Sequence, residues 1–281
     1  MSSVQEKLYR AAEWNVVEEL QSLLKGHHHH PDLDVNRGNE SVNGWTALHA
    51  AAYYGHAEAV KLLLEHPAIN VNAKNRYRQT PFSFACFRRN VSVVRLLLKD
   101  LRVDIALHDE DGCSPLWRAC ECGSVETIMW LMASGRDFGD MNIKGSRYDD
   151  DDGWVEYTAL EVAREHQKTQ IVSLLEKFIA NPAQTRHEVR MKLGMLDALA
   201  AEVFALTIFL CDDLLQPNTT LAISTSNPAA AAGALRFFTI VATLPMELQM
   251  VLCHRVVGSM KQTILHKESE IAFKSLARIL L

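Results

Sequence analysis

Four short segments of this chain repeat one another. Thr46-Ala47-Leu48-His49 returns as Thr80-Pro81-Phe82-Ser83, as Ser114-Pro115-Leu116-Trp117 and as Thr158-Ala159-Leu160-Glu161, at steps of 34, 34 and 44 residues. Fourteen residues after each hydroxyl stands an apolar cluster: Val60-Lys61-Leu62-Leu63, Val94-Arg95-Leu96-Leu97, Ile128-Met129-Trp130-Leu131 and Val172-Ser173-Leu174-Leu175. Between them a small residue recurs at Ala51, Ala85, Ala119 and Ala163. Periods of this length belong to chains that stack like units side by side.

Each unit reads as two short helices. The Thr or Ser hydroxyl caps the first, and Pro81 and Pro115 occupy its first turn, where a missing N–H costs nothing. Gly55 and Gly123 end that helix where a left-handed residue is wanted, and Asn90 is read as replacing this glycine in the middle copy. The second helix carries the leucine-rich stripe. A helix pair this small cannot bury its own apolar face, so stacking supplies the core. The stretch Gly44-Trp45-Thr46-Ala47-Leu48-His49-Ala50-Ala51-Ala52-Tyr53-Tyr54-Gly55-His56, with three further copies in register, strongly resembles the ankyrin repeat. The resemblance implies an all-α fold: a solenoid of about five helix pairs, followed here by a C-terminal helical bundle.

A degenerate first copy precedes these, since Leu8, Ala11, Asn15, Leu20 and Leu23 match Leu48, Ala51, Gly55, Val60 and Leu63 at a step of 40. Its glutamates suit a capping repeat with one solvated face. The extra length falls at Gly26-His27-His28-His29-His30-Pro31, and the 44-residue step places another insertion around Tyr148-Asp149-Asp150-Asp151-Asp152-Gly153. The expected organisation is a repeat domain over 1–182, with repeats near 4–36, 42–75, 76–109, 110–143 and 154–180. A helical domain over 183–281 follows.

In ankyrin repeats the residues that face the concave groove lie three and one before the capping hydroxyl and seven and eight after it. Those offsets, with their neighbours, make Trp45, Tyr53, Tyr54, Arg76, Tyr77, Phe87, Arg88, Glu121, Trp154, Tyr157 and Arg164 the candidate partner-binding residues. Aromatics are only 7% of the chain, yet many fall here. Trp, Tyr and Arg carry binding energy well because they bury large areas at low rotamer cost or bond in several directions. The alternative is that Tyr53 and Phe87 pack between adjacent helices. The middle copy is arginine-rich and the next is acidic at Asp109, Glu110, Asp111 and Glu121, which suits a partner of mixed charge with an apolar anchor.

Repeat character stops at Asn181-Pro182. From Thr185 to Leu215 the apolar spacing is that of a helix ended by Pro217. Residues 218–227 read as a loop, with further helices from Pro228, from Pro245 and from about Glu268. Leu244-Pro245-Met246-Glu247-Leu248, followed by an apolar helix, resembles the start of an F-box, which docks substrate adaptors onto cullin ubiquitin ligases. It makes Leu244, Pro245, Leu248 and Leu252 candidates for docking a cullin ligase subunit. An ordinary amphipathic helix start explains the same residues.

Composition narrows the function. Net charge is −5, with residues 185–281 at +1 and the remainder at −6, so nucleic acid is not expected as the main partner. The apolar run near the C-terminus, Val203 to Cys211 with Thr207 inside it, is far shorter than the roughly 20 residues that cross a bilayer, so no membrane partner is expected. The start, Met1-Ser2-Ser3-Val4-Gln5-Glu6-Lys7, has no apolar run of a secretory signal, and none of the six cysteines forms a Cys-x-x-Cys pair. A reducing cytoplasmic or nuclear location is expected. His27 to His30 read as a solvated loop, and the acidic run fails as a calcium loop because Ala159 falls where the bidentate Glu belongs. His49 reads as structural, and Cys86 and Cys120 as small core residues. No nucleotide-binding, zinc-protease or nucleophile-elbow motif is present, so neither cofactor, metal nor catalysis is expected. The reading is a non-catalytic interaction module or scaffold that binds a protein partner, with a ubiquitin-ligase adaptor as the alternative.

Overall fold

A computed structural model of the chain describes residues 4–25, 33–149, 153–211 and 246–257, together with 264, 269, 271 and 272. They form two compact units, Met1–Val189 and Arg190–Leu281.

The first unit is five helix pairs: α1 (Val4–Glu13) with α2 (Val17–Lys25), α3 (Ala47–Tyr54) with α4 (Ala57–Leu64), α5 (Pro81–Phe87) with α6 (Val91–Lys99), α7 (Pro115–Cys122) with α8 (Val125–Ser134), and α9 (Ala159–Glu165) with α10 (Thr169–Ala180). First helices pack in one row, α1-α3-α5-α7-α9, and second helices in another, α2-α4-α6-α8-α10. One continuous core runs through both rows, with Leu20, Leu63, Leu97, Leu131 and Leu175 at its centre. It is the core that no single pair could build.

Local chemistry explains where each pair begins and turns. The hydroxyls of Thr46, Thr80, Ser114 and Thr158 accept from backbone N–H groups three residues on, at His49, Ser83, Trp117 and Glu161. The residue that ends the first helix is left-handed in every pair: Asn15 (φ 55°), Gly55 (80°), Arg89 (60°), Gly123 (80°) and Gln167 (54°). This corrects the sequence reading of Asn90. Asn90 is one residue further on, at the repeat position of His56, and precedes α6 with φ −79°. Its amide donates to the carbonyls of Ala52 and Tyr53 at 2.8 Å each, so it caps the end of the preceding repeat's helix. His56 does the same work one repeat earlier, with Nε2 2.9 Å from the Glu13 carbonyl.

The hairpin tips are stitched in series. Arg76 N–H donates to Asn43 carbonyl (2.9 Å), Glu110 N–H to Tyr77 carbonyl (3.1 Å) and Ser146 N–H to Asp111 carbonyl (2.7 Å). Paired strands flank the acidic run of the second insertion. Strands β1 (Gly145–Asp149) and β2 (Gly153–Tyr157) pair antiparallel, with Tyr148 opposite Trp154. Tyr, Trp and Val on a two-residue period favour this pairing. Asp150 to Asp152 lie outside the described residues, as do His27 to His30.

The sequence reading of one helix from Thr185 to Leu215 is also corrected. Two helices, α11 (Pro182–Lys192) and α12 (Met195–Cys211), meet at Gly194, whose φ of 66° breaks the run. α12 packs against α13 (Met246–Val256). Among the described residues no helix is long and apolar enough to cross a membrane. The expected loop at 218–227 and helix from Pro228 lie outside the described residues, as does most of the expected helix from Glu268.

Candidate functional site

The first-helix row and the hairpins before it carry the predicted stripe, and the structure sorts its residues into three groups. Tyr54 (47% exposed), Tyr77 (44%), Phe87 (38%) and Trp154 (67%) present large aromatic surface to solvent. Arg88 is exposed beside them, its guanidinium 4.5 Å above the ring of Tyr53.

Trp45 and Tyr53 are half-buried and form a second group. Trp45 sits 4.9 Å from Tyr53 and 4.6 Å from Phe84 between ring centroids, and Phe84 is buried. One face of each is thus committed to packing within the solenoid. Tyr157 is also half-buried, and its carbonyl accepts from Trp117 Nε1 at 2.8 Å. Cys113, at a groove offset, is fully buried against Gly145.

The charged candidates form the third group. Arg76 pairs with Glu40, and Arg164 with Glu176 at 2.7 Å. Glu121 lies 3.2 Å from Arg118, which also binds Asp109 through two nitrogens (2.7 and 3.1 Å) and Asp111 at 3.4 Å. Asp109's side chain is 1% exposed, so its charge is held inside the hairpin, while Asp111 (34% side-chain exposure) and the exposed Glu110 keep the cluster negative at the surface.

Two exposed aromatics escape the offset argument. Trp14 is 73% exposed and stands at the repeat position of Tyr54, one residue before the left-handed Asn15. The 40-residue step that aligns Asn15 with Gly55 carries this signal, although the first copy has no capping Thr to count from. Tyr148 is 60% exposed and meets Trp154 edge-on, 5.9 Å between centroids, across the ribbon. Its signal is the strand alternation hidden beside the acidic run.

Buried polar groups in the repeats serve structure. His49 Nδ1 accepts from Thr46 N–H at 3.1 Å and Nε2 lies 3.0 Å from the Gln79 carbonyl, so the neutral Nε2–H tautomer fits. Burial lowers its pKa from 6.5 to about 4, against the opposing pull of its bonds to the Gln79 and Ala73 carbonyls. Burial raises the thiols of Cys86, Cys113 and Cys120, which keeps them protonated and unreactive. Among the described residues no cluster of three His, Cys, Asp or Glu could hold a metal ion. On α13, Leu248 is half exposed and Leu252 partly buried, while Leu244 and Pro245 lie outside the described residues.

Stacked helix pairs with capped first helices and a continuous leucine core define an ankyrin-repeat solenoid. Residues 8–109 match the family model for ankyrin repeats (three copies), and this stretch of the chain is ankyrin repeats. Human Rabankyrin-5 is 27% identical over 129 residues, which is 46% of this chain and 10% of that protein. Human SMC5-SMC6 complex localization factor protein 1 is 34% identical over 102 residues, 36% of this chain and 10% of that protein. Human transient receptor potential cation channel subfamily A member 1 is 29% identical over 132 residues, 47% of this chain and 11% of that protein. The chain therefore spans about a tenth of the length of these relatives. The family match ends at residue 109, so the F-box-like segment and a cullin ligase partner gain no support from it.

Proposed function

We propose that the chain works by binding a protein partner along its first-helix row, without catalysis of its own. Ankyrin repeats are a protein–protein interaction module, and the finer statement concerns which face is used. The observation that carries it is the run of exposed aromatics along that row: Trp14 and Tyr54 at one repeat position, whose counterpart in the next repeat is Arg88, with Phe87 beside Arg88 and Tyr77 on the hairpin before α5. Four large rings over a third exposed, spaced along one row, supply the anchors that interfaces concentrate. The stacked core does not use those exposed faces. The five described cysteines without a disulfide fit a reducing compartment, in line with a cytoplasmic or nuclear site of action.

Affinity purification of the full chain, with mass spectrometry, would supply the partner. Its titration against Tyr77→Ala and Phe87→Ala should then show a loss of about 2 kcal/mol for a central anchor, roughly thirtyfold in affinity. Circular dichroism should be unchanged for both. Trp45→Ala is a poorer probe, because its ring packs on Phe84 and its removal lowers stability as well. Binding unchanged in both Tyr77→Ala and Phe87→Ala would place the interface elsewhere.

A further inference from the structure

Charge along the repeats is divided sharply. Residues 66–99 hold seven Lys and Arg and no Asp or Glu, in a chain whose net charge is −5. Residues 100–126 hold seven Asp and Glu against two Arg. Pairing then changes what reaches solvent. In the acidic stretch, Arg118 takes Asp109, Asp111 and Glu121, and Arg102 takes Asp100 at 2.7 Å. In the basic stretch, Arg76 has Glu40 and Arg95 lies over the Trp130 ring. Among the described residues Arg78, Arg88 and Arg89 have no carboxylate partner, and all three are exposed.

Two of these arginines also occupy backbone that suits glycine. Arg78 has φ 58°, and residues 34 before and after it are Gly44 (74°) and Gly112 (78°). Arg89 has φ 60°, and its counterparts are Gly55 and Gly123, both at 80°. A left-handed conformation costs an L-residue free energy that glycine avoids. Strained residues of this sort collect where a side chain is needed for binding. Here two successive glycine positions of one repeat, and of no neighbouring repeat, are arginine.

We infer that this repeat recognises an acidic segment of a protein partner. Carboxylates of that segment bind Arg78 at the start of α5 and Arg88 and Arg89 at its end, and an apolar or aromatic side chain between them packs on Tyr77 and Phe87. At about 1.5 Å per residue α5 is roughly 10 Å long, which three residues of extended chain span. An Arg fork binds carboxylate in two-bonded geometry, and no Asp or Glu within residues 66–99 competes for these three. This inference rests on the proposed use of the first-helix row and adds the partner's chemistry to it.

The test is selection of peptides of about twelve residues from a random displayed library on the immobilised full chain, long enough to cover α5 at about 3.3 Å per residue. It is repeated on the Arg78→Gly/Arg89→Gly double variant, in which both left-handed positions receive the residue they suit. The parent should select peptides enriched in Asp and Glu that flank an aromatic or aliphatic residue. Synthetic copies should lose about tenfold or more in affinity on the double variant, and weaken as salt rises. Thermal unfolding of that variant should start no earlier than the parent's. If the glycine variant misfolds, Arg88→Gln gives the same reading with both strained positions intact. A single-stranded thymidine oligonucleotide, as the probe of nucleic acid, should bind more weakly than the selected peptides at about 150 mM salt. No selected peptide, peptides without an acidic bias, unchanged affinity on the arginine variants, or tighter binding of the oligonucleotide would each overturn the inference. Non-acidic peptides that still lose affinity on Tyr77→Ala would remove the preference for acids and leave the binding face standing.

Discussion

The repeat built on α5 and α6 and the one built on α7 and α8 have the same backbone plan and opposite dealings with charge. Each has a hydroxyl cap, a proline in the first turn and a buried stripe of aliphatic residues. In the first, three arginines stand exposed with no acid beside them. In the second, one arginine is drawn inward and satisfies three carboxylates. The two repeats therefore differ in how their arginines are used as well as in net charge. The acidic stretch holds its arginine in its own hairpin, where Cys113 N–H also donates to Asp109 at 2.9 Å, while the basic stretch leaves three arginines at the surface.

The largest break in this comparison should come from Arg118. Its side chain is 14% exposed and Asp109's 1%, so Arg118→Met leaves a carboxylate buried without its cation. The expected loss is about 3–5 kcal/mol in urea unfolding, because desolvation of the orphaned charge is no longer offset. Arg88→Met, one repeat earlier, should cost well under about 1 kcal/mol, as an exposed cation over a ring does. Equal losses at the two sites would erase the distinction drawn here between structural and free arginines.

A second break is set by pH and belongs to the repeat before α5, where His49 occupies the position of Ser83 and Trp117. The His49 pKa falls from 6.5 in the unfolded chain to about 4 in the fold, mainly through burial. The unfolded chain then binds the extra proton first as pH drops. His49's contribution is complete above about pH 6.5 and is lost as pH falls toward 4, amounting to about 3 kcal/mol across that window. Protonation at Nδ1 would also turn the acceptor of the Thr46 N–H into a donor. Unfolding free energies of the parent and of His49→Asn, followed from pH 7 to about 4, should converge as this term disappears. A parent curve parallel to the variant's across that range would show that His49 does not titrate between the two states.

How much of this was readable in advance follows from how far each signal reaches. Caps, first-turn prolines, left-handed glycines and the leucine stripe act within about one helical turn, so Thr46, Pro81, Gly55 and Leu63 were legible from spacing alone. Arg89 and Asn90 were confused because either Asn or a left-handed residue can follow a helix, and the choice rests on carbonyls at Ala52 and Tyr53 in the previous repeat. The half-burial of Trp45 depends on Phe84, 39 positions on, and the pairing of Glu121 on a guanidinium that also serves Asp109. Such contacts appear only once the repeats are stacked. The ribbon was hidden for a different reason: four aspartates in a row dominate the local pattern, and the strand residues on each side number only five.

The smallest expected effect is the sharpest on the comparison of repeats, because it has the opposite sign to the rest. Arg89 is exposed, makes no ion pair among the described residues, and holds φ 60° at a position where Gly55 and Gly123 sit. Replacing it by glycine removes a left-handed penalty of about 1 kcal/mol or a little more. Glycine in turn gives the unfolded chain extra freedom worth about 0.5–1 kcal/mol, so the net change should be a gain of a few tenths to about 1 kcal/mol. The reverse change, Gly123→Ala, should lose about 1 kcal/mol: its new Cβ would meet only the Lys168 side chain, at 3.0 Å, which can move aside, so conformation rather than collision sets the cost. Paired urea titrations of the two variants read both signs. Destabilisation by Arg89→Gly would mean that this arginine contributes to the fold, which would remove the strain argument for its role in binding.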